Sequence, residues 1–281
     1  MGRSVVRVPA SSANLGSGFD VLGMALDLHA DFGTGPAPDG AQHLDEHHPT
    51  SIAFESAGGA GSVWMRGSIP MARGLGFSGA ARVGGVGLAV VQGADDPTVA
   101  LRDGAQKILR ISADLEGHGD NVAASLFGGV TASVDGAALP LRVGPVMAAA
   151  TVVVWIPEAT TSTDSSRAGL PSTVERADAI HNLGRVVQFV LAVERDDPSL
   201  LVGATSDRMH QSHRLSFVEG ATEALAAGVD AGAWCGWLSG SGPTIAFLCE
   251  TSTVPAVVGS MPGAGHCKKL KIDTRGARLV E

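Results

Sequence analysis

Residues 69–81 read Ile-Pro-Met-Ala-Arg-Gly-Leu-Gly-Phe-Ser-Gly-Ala-Ala. The preceding Val63-Trp64-Met65-Arg66 predicts a short strand, and the small apolar residues from Ala80 to Val91 predict a buried helix. A glycine-rich loop between a strand and a helix presents backbone N–H groups at the helix N-terminus, where the helix dipole also favours negative charge. Glycine lets the backbone approach phosphate oxygens closely, and Ser78 adds a hydroxyl. The stretch therefore predicts an anion-binding loop.

The glycine spacing of this loop also leaves two other interpretations open. Gly74, Gly76 and Gly79 fit the G-x-G-x-x-G pattern of dinucleotide-binding proteins, and Asp95 or Asp96 lies near the distance expected of a ribose-binding acid. Against this, the loop does not belong to the first predicted strand–helix unit of the chain. The remaining interpretation is a glycine-rich packing turn that binds no ligand.

Composition limits the class of protein and of partner. The chain has 281 residues, of which 44% are hydrophobic and 17% charged, which predicts a large core in one large or two ordinary domains. Gly144-Pro145 is the expected domain boundary, dividing the chain into residues 1–145 and 146–281. The net charge of −8 argues against a nucleic-acid partner or an anionic membrane surface.

Cysteine use and hydropathy bear on the compartment. Cys235, Cys249 and Cys267 are too widely spaced for a disulfide framework or a zinc site, which suits a reducing environment. The N-terminal residues lack the apolar core of a signal peptide, and the longest apolar run, Val146 to Pro157, is too short to span a bilayer. We therefore expect a cytoplasmic protein.

Periodicity predicts several further elements. Thr98 to Glu116 is expected to form one helix ending at Gly117, and Val130–Val134 is expected to form a hairpin with residues 139–143. Ser172 with Glu175 fits a capping box that would open another helix. The apolar residues expected to face the core from that helix are Val174, Ala177, Ile180, Val187, Val190 and Leu191.

Two groups of histidines could in principle ligate a metal. Asp45-Glu46-His47-His48 lacks helical spacing and is expected to be a solvated loop. His210 and His213 lie three residues apart, but a third ligand is not evident, so a surface helix is the expected setting. A third polar group, Glu116-Gly117-His118-Gly119-Asp120-Asn121, is denser than helix capping alone would require.

Three segments together resemble the GHMP kinase superfamily and, within it, the homoserine kinase family. They are residues 9–20 (Pro-Ala-Ser-Ser-Ala-Asn-Leu-Gly-Ser-Gly-Phe-Asp), the loop at 70–80, and residues 238–244 (Leu-Ser-Gly-Ser-Gly-Pro-Thr), and their order and spacing match over nearly the whole chain. The resemblance implies an α+β, two-domain GHMP kinase fold. It implies an N-terminal nucleotide-binding domain like ribosomal protein S5 domain 2, a ferredoxin-like C-terminal domain, and a site between them.

The resemblance also implies a chemistry and a set of site residues. The expected reaction is transfer of the γ-phosphoryl group of ATP, with Mg²⁺, to the hydroxyl of L-homoserine, a small-molecule substrate, as in threonine biosynthesis; a homodimer is a further expectation. By position, Ser78 and Glu116 would bind Mg²⁺. The residues expected around the nucleotide are Pro70, Arg73, Gly74, Leu75, Gly76, Ser78, Gly79 and Ala80, and those around the amino acid are Asn14, Asp20, His118, Asn121, Thr163, Arg167 and Arg214.

The chain departs from the family pattern in ways that leave other functions open. Phe77 stands where the family loop has its first serine, and Gly79 stands where it has alanine. The sequence identifies no general base, although Asp20 and Arg167 are candidates for positioning the substrate. The alternatives are a GHMP kinase for another small alcohol, a non-catalytic metabolite-binding protein of the same fold, and the dinucleotide oxidoreductase suggested by the glycine spacing.

Overall fold

The computed structural model describes residues 4–158, 166 and 169–280. In that part of the chain the strands form two antiparallel sheets, one of seven strands and one of four. The strands are β1 (Val5–Ala13), β2 (Leu22–Thr34), β3 (Gln42–His43), β4 (Val63–Gly67), β5 (Val130–Val134), β6 (Ala137–Leu141), β7 (Thr151–Pro157), β8 (Cys235–Leu238), β9 (Ile245–Cys249), β10 (Gly265–Leu270) and β11 (Arg278–Val280).

Helices cover the sheets, and two short 3₁₀ turns connect elements in the second half of the chain. The helices are α1 (Pro49–Ser56), α2 (Phe77–Val91), α3 (Pro97–Asp103), α4 (Ala105–Glu116), α5 (Asp120–Phe127), α6 (Pro145–Ala149), α7 (Arg176–Glu194), α8 (Gln211–Leu215), α9 (Ala221–Asp230) and α10 (Val254–Gly259). The 3₁₀ turns are Pro198–Leu201 and Thr251–Thr253.

The larger sheet has the strand order β11-β1-β2-β4-β3, and β5 pairs with both β2 and β6. The pairing of β1 with β2 shifts register between Pro9 and Ala10. A proline fits at such an irregularity because its nitrogen carries no hydrogen to donate to the neighbouring strand. Val5 of β1 pairs with Val280 of β11, so a strand from the end of the chain completes a sheet built from its beginning. The division into residues 1–145 and 146–281 stays a prediction.

The smaller sheet has the order β10-β7-β9-β8; β7, β8 and β9 are buried throughout, whereas β10 at the edge is partly exposed. Val152 and Val154 of β7 belong to the apolar cluster that continues under the larger sheet. Val153 and Trp155, on the opposite face, belong to a second cluster with residues from α9 and α10. Strand β7 therefore has core on either side.

The glycine-rich loop lies where it was expected, between β4 and α2. Helix α2 begins at Phe77, three residues before the predicted start at Ala80. Its glycines allow close packing, since a Cβ at Gly84 would lie 2.3 Å from a ring carbon of Phe32 and a Cβ at Gly85 would lie 2.2 Å from the Thr50 carbonyl oxygen. The loop is thus fixed between a sheet strand and a tightly packed helix.

Two helix predictions are wrong in their boundaries. The single helix expected over Thr98 to Glu116 is divided at Gly104, which ends α3 and begins α4. The expected capping box is absent from α7, because the helix begins at Arg176 and Glu175 occupies the N-cap without a side-chain hydrogen bond. The stop at Gly117, with a φ of 84°, and the hairpin of β5 and β6 agree with the sequence-based expectation.

The buried face of α7 was also predicted incorrectly. Ile180 is 62% exposed and Val187 is 58% exposed, although both were expected in the core. The helix instead packs inward through Asn182, Phe189, Ala192 and Val193. Apolar residues occur on both sides of this helix, so periodicity alone did not identify the side that faces the protein.

The structure also describes the three cysteines and the helices that bear on the compartment. Cys235, Cys249 and Cys267 are all free, and burial raises the pKa of the Cys235 thiol to about 12, so that side chain stays protonated. Within residues 4–158 and 169–280, no helix is both long and apolar enough to cross a bilayer.

Asp273 ties the end of the chain to the larger sheet. Its Oδ1 accepts from the backbone N–H groups of Arg275 (2.8 Å) and Gly276 (3.0 Å), while Oδ2 lies 2.5 Å from His29 Nε2 and accepts from Arg278 Nη1 at 3.2 Å. Burial would raise the pKa of this carboxyl, but the hydrogen bond with His29, the backbone donors and the charge of Arg278 outweigh burial and lower it strongly.

We expect Asp273→Asn to lower the free energy of unfolding by about 3 kcal/mol at neutral pH, because the change leaves buried donors without a charged acceptor. A carboxyl with a lowered folded-state pKa stabilises the protein above its unfolded pKa, and that contribution is lost as the pH falls through the folded-state value. The difference from the unaltered protein should therefore shrink below about pH 4. Urea unfolding at several pH values measures this difference, with exposed Asp39→Asn as control. Equal losses of unfolding free energy in the two variants would contradict the role of Asp273 in holding the end of the chain to the sheet.

Candidate active site

The loop before α2 adopts a conformation that requires glycine. Gly74 has a φ of 72° and Gly76, the N-cap of α2, has a φ of 69°. A Cβ at Gly74 would lie 2.3 Å from the Ser239 carbonyl oxygen, and one at Gly76 would lie 2.1 Å from Ser11 Oγ. The loop backbone is therefore packed closely against two other segments, and the start of α2 opens into the pocket that they surround.

A chain of hydrogen bonds joins the three segments that carry the family resemblance. Trp237 Nε1 donates to Ser12 Oγ at 2.8 Å, and Ser239 Oγ donates to the Gly74 carbonyl oxygen at 2.6 Å. The two serine hydroxyls lie 2.7 Å apart. Because the Ser239 proton is used on Gly74, the Ser12 hydroxyl is the donor between the two serines. Each hydroxyl thus donates once and accepts once, and one buried line of bonds fixes all three segments.

Asn14 provides a second link between the first and last of these segments. Its Nδ2 donates to the Gly240 carbonyl oxygen at 2.9 Å, and its Oδ1 accepts from the Asp20 backbone N–H at 3.0 Å. Asn14 and Asp20 both have positive φ values, 70° and 58°, which asparagine and aspartate tolerate better than most residues. The bonds hold both side chains at the pocket wall, where the sequence placed them as substrate ligands.

Ser78 and Glu116, the two predicted metal ligands, are in contact at the pocket wall. Ser78 Oγ donates to Glu116 Oε2 at 2.8 Å. Arg82, which the sequence analysis missed, also forms a short ion pair with Glu116 Oε2. Its position four residues after Ser78 on α2 was the available signal, since residues at that spacing lie on one helix face. Hydroxyl and carboxylate oxygens fit Mg²⁺, whose remaining ligands are commonly water and phosphate.

His118 and Asn121 lie at the start of α5, beside the loop. His118 Nδ1 lies 2.6 Å from Asp120 Oδ1, and Asn121 Oδ1 accepts from Ser11 Oγ at 2.9 Å. Burial would lower the pKa of His118, but its hydrogen bond with Asp120 and the nearby carboxylates of Asp120, Glu116 and Asp20 outweigh burial and raise it. The dense polar group seen in the sequence is therefore part of the pocket, not a helix cap at the surface.

Arg214 is placed by a histidine that was expected at the surface. His210 is 1% exposed; its Nε2 lies 2.8 Å from the Gly16 carbonyl oxygen and its Nδ1 lies 3.2 Å from Arg214 Nη1. Burial lowers the pKa of His210, so the ring is neutral, donates to Gly16 through Nε2 and accepts from Arg214 through Nδ1. The ring also stacks on Phe19, with centroids 4.9 Å apart. The expectation of a surface helix is wrong for His210.

One pocket brings most of the predicted site residues together. Gly79 and Ala80 lie buried in α2 and do not line it. Thr163 and Arg167 lie outside the described residues. Phe77 lines the pocket and meets the His48 ring edge-on at 5.8 Å. The predicted residues that line the pocket are Asn14, Asp20, Pro70, Arg73, Gly74, Leu75, Gly76, Ser78, Glu116, His118, Asn121 and Arg214.

Comparisons with known proteins identify the family to which the chain belongs. The sequence pattern described as GHMP kinases N terminal domain matches residues 41–129. A homoserine kinase from Moorella thermoacetica is 37% identical over 88% of this chain and 87% of its own length, and one from Thermus thermophilus is 36% identical over 89% and 88%. The chain belongs to the homoserine kinase family. The crystal structure of a homoserine kinase from Cytophaga hutchinsonii has the same fold, with a TM-score of 0.81 at 22% identity, over 100% of this chain and 98% of that one.

Membership of the homoserine kinase family confirms the predicted α+β GHMP kinase fold and excludes the dinucleotide oxidoreductase. The larger sheet is antiparallel throughout the described residues, whereas a dinucleotide-binding fold needs parallel strands. Asp96, considered as a ribose ligand, is the N-cap of α3 and accepts from the backbone N–H groups of Thr98 and Val99. The G-x-G-x-x-G match in this family member is therefore a coincidence of spacing.

We expect Gly74→Ala to displace the loop and weaken ATP binding at least about a hundredfold, because a Cβ there would collide with the Ser239 backbone. Gly40→Ala is a matched control, since Gly40 has a similar φ of 76° and among the described residues nothing lies within 4 Å of its added Cβ. An alanine at either position is strained by the positive φ, but only the Cβ at position 74 would clash with another backbone segment. Isothermal titration with ATP measures the effect, and equal affinities in the two variants would refute the close approach.

Proposed function

We propose that this protein transfers the γ-phosphoryl group of ATP to the hydroxyl of L-homoserine, forming O-phospho-L-homoserine. The observation that carries the proposal is the pairing of two chemistries in one pocket. A helix N-terminus with Ser78 and Glu116 forms one side, and Asp20 and Arg214 lie at the other. The first set suits a triphosphate with its metal ion, and the second suits an amino acid. The names of the relatives support the same acceptor.

The nucleotide side relies on the backbone more than on charged side chains. Gly74 and Gly76 let the loop approach phosphate oxygens, and the N-terminus of α2 adds N–H donors and a favourable dipole. Ser78 and Glu116 would hold Mg²⁺, which supplies positive charge to the phosphate oxygens. Among the described residues there is no cluster of three acidic, histidine or cysteine side chains able to hold a metal, so most of the ion's ligands would come from water and phosphate.

Arg82 supplies charge at the same place. Its guanidinium pairs with Glu116, whose carboxylate is largely buried, and so balances a charge that would be costly to leave alone. With Mg²⁺ bound at Glu116, the guanidinium would still have donors for the carboxylate and for a phosphate oxygen, since arginine presents several donors in one plane. We infer that Arg82 keeps Glu116 in place before the nucleotide arrives.

The acceptor side offers opposite charges for a zwitterion. Asp20 would bind the ammonium group, and Arg214 the carboxylate, together with Arg167 from outside the described residues. Arg214 is 3% exposed, and its bond to neutral His210 fixes its direction. A guanidinium can bind a carboxylate through two parallel hydrogen bonds, which suits the carboxylate of an amino acid. Thr163, Asn121 and His118 complete the expected set around the amino acid.

The reaction would depend on position and charge more than on a proton-transfer residue. Phosphoryl transfer has little covalent chemistry for a protein to assist, so alignment of the hydroxyl with the γ-phosphate and neutralisation of charge provide most of the rate. Among the described residues that line the pocket, none is a lysine. Against the effect of burial, Asp120 and the nearby carboxylates raise the pKa of His118, which favours a positive charge in the pocket beside the acceptor.

We expect Ser78→Ala to lower kcat about a hundredfold and to weaken the dependence of ATP binding on Mg²⁺, because the Ser78 hydroxyl is a proposed metal ligand. The fold should be unchanged, since the helix start has no side-chain cap to lose. Titration of ATP at increasing Mg²⁺ concentration measures binding separately from turnover. Exposed Ser172→Ala is the control. Unchanged Mg²⁺ dependence in a folded Ser78→Ala protein would remove this side chain from the metal site.

We expect L-homoserine to exceed 1,4-butanediol in kcat/KM by about a thousandfold or more, because the neutral alcohol offers neither an ammonium group to Asp20 nor a carboxylate to Arg214. Arg214→Lys should reduce that preference even though charge is kept, because an ammonium group cannot bind a carboxylate through two parallel bonds. ADP release against a panel of alcohols measures both. Turnover of a neutral alcohol without turnover of L-homoserine would leave the kinase assignment standing but would contradict L-homoserine as the acceptor. ATP binding without turnover of any alcohol would indicate a metabolite-binding protein.

A further inference from the structure

Arg82 contacts both residues that are proposed to bind the metal ion. Its Nε forms the short ion pair with Glu116 Oε2 and also donates to Ser78 Oγ at 3.4 Å. Ser78 Oγ in turn donates to the same oxygen of Glu116 at 2.8 Å. A guanidinium nitrogen, a hydroxyl and a carboxylate oxygen therefore contact one another in a closed group. We call these three residues the Arg82 cluster.

Two helices bring the Arg82 cluster together. Ser78 is the second residue of α2 and Arg82 follows one turn later, so their side chains lie on the same face of the helix. Glu116 is the last residue of α4, which packs against α2 and ends at Gly117, where φ is 84°. All three side chains are thus carried by helices and not by a loop, which fixes their relative positions closely.

The charges of the Arg82 cluster cancel. The side chain of Glu116 is 11% exposed and that of Arg82 is 19% exposed, so water and salt screen the pair only in part. The carboxylate provides a negative charge, the guanidinium provides a positive charge, and the Ser78 hydroxyl provides none. A divalent cation placed on Ser78 and Glu116 would gain little net attraction, because the guanidinium opposes the carboxylate at the same oxygen.

The start of α2 adds a further positive feature. Ser78 lies in the first turn of this helix, where the backbone N–H groups together carry about half of an elementary positive charge. The helix start therefore repels a bare cation and attracts an anion. Among the described residues, no group of three acidic, histidine or cysteine side chains counters this effect by forming a metal-binding cluster.

We propose that Arg82 prevents Ser78 and Glu116 from holding a divalent cation on their own, so that the metal ion enters only together with the phosphates of the nucleotide. The inference rests on the proposed function, because it takes these two residues as ligands of the metal ion that accompanies ATP. A triphosphate supplies the negative charge that the Arg82 cluster lacks, and its oxygens supply further ligands. The helix start that repels a bare cation attracts the phosphates that carry it.

This arrangement keeps the nucleotide side of the pocket free of metal before ATP arrives. An ion already held by Ser78 and Glu116 would meet a second ion carried by the incoming nucleotide, and one of the two would have to leave. A neutral side chain at position 82 would leave the Glu116 carboxylate uncompensated, which is a setting that attracts a divalent cation. A purely structural role of Arg82 predicts a loss of stability on its replacement and no gain of metal affinity.

Binding of Mn²⁺ to the full chain without nucleotide tests the proposal. Mn²⁺ accepts the same carboxylate and water ligands as Mg²⁺, and electron paramagnetic resonance measures the free ion. The unaltered protein should bind Mn²⁺ weakly on its own and tightly in the presence of ADP. Arg82→Gln and Arg82→Met should each bind Mn²⁺ without nucleotide at least about tenfold more tightly than the unaltered protein, because the positive charge is gone. Arg82→Lys keeps the charge and should resemble the unaltered protein.

Two controls locate the gained site. Arg110→Gln removes an exposed arginine from α4, the helix that carries Glu116, and should leave Mn²⁺ affinity unchanged. Adding Glu116→Gln to Arg82→Gln should abolish the gained affinity. Circular dichroism checks the fold of every variant. The two neutral replacements of Arg82 differ in polarity, so one folded variant is enough for the comparison.

Failure of this inference and failure of the proposed function give different results. If the unaltered protein binds Mn²⁺ with ADP and the folded neutral variants gain no affinity, the role of Arg82 is wrong while the metal ligands of the proposed function stand. Equally tight Mn²⁺ binding to the unaltered protein with and without ADP would also overturn the inference alone. If the unaltered protein binds no Mn²⁺ even with ADP, Ser78 and Glu116 do not hold the metal ion, and both proposals are overturned.

Discussion

The Ser239 hydroxyl is the contact on which the site depends most. It receives a hydrogen bond from Ser12 and gives one to the Gly74 carbonyl oxygen, so it joins segments that are far apart in the sequence. Trp237 orients Ser12 from the other end. Loss of either bond would leave a buried polar group without its partner, which is costly. The distance between the glycine-rich loop before α2 and the segments that hold Ser12 and Ser239 is therefore set by this line of bonds.

Sequence could predict this site largely because its residues lie in short, recognisable segments. Gly74, Ser78 and Asn14 were assigned from local patterns, and each lines the pocket. Glycine at a positive φ and a hydroxyl at a helix start are requirements of the backbone itself, and they leave a mark in the sequence whatever surrounds them. The fold class followed from the same segments, because their order and spacing identify a family.

What the sequence did not show depends on contacts between distant residues. His210 was expected at the surface, yet it is buried against the Gly16 carbonyl oxygen, nearly two hundred positions earlier in the chain. Arg82 was missed because its partner, Glu116, lies on another helix. The buried face of α7 was misjudged since apolar residues occur on both sides of it. Periodicity reports which residues share a face, and only packing decides which face turns inward.

The pairing of β1 with β11 has a consequence for how the protein is made. On one side β1 pairs with β11, which consists of residues 278–280. The larger sheet therefore cannot be completed until almost the entire described chain has left the ribosome. Until then β1 is an open edge, with backbone groups able to pair with another nascent chain. Contacts between such distant residues also slow folding. Translation of this protein should therefore pass through a long interval in which its first strand needs protection from aggregation.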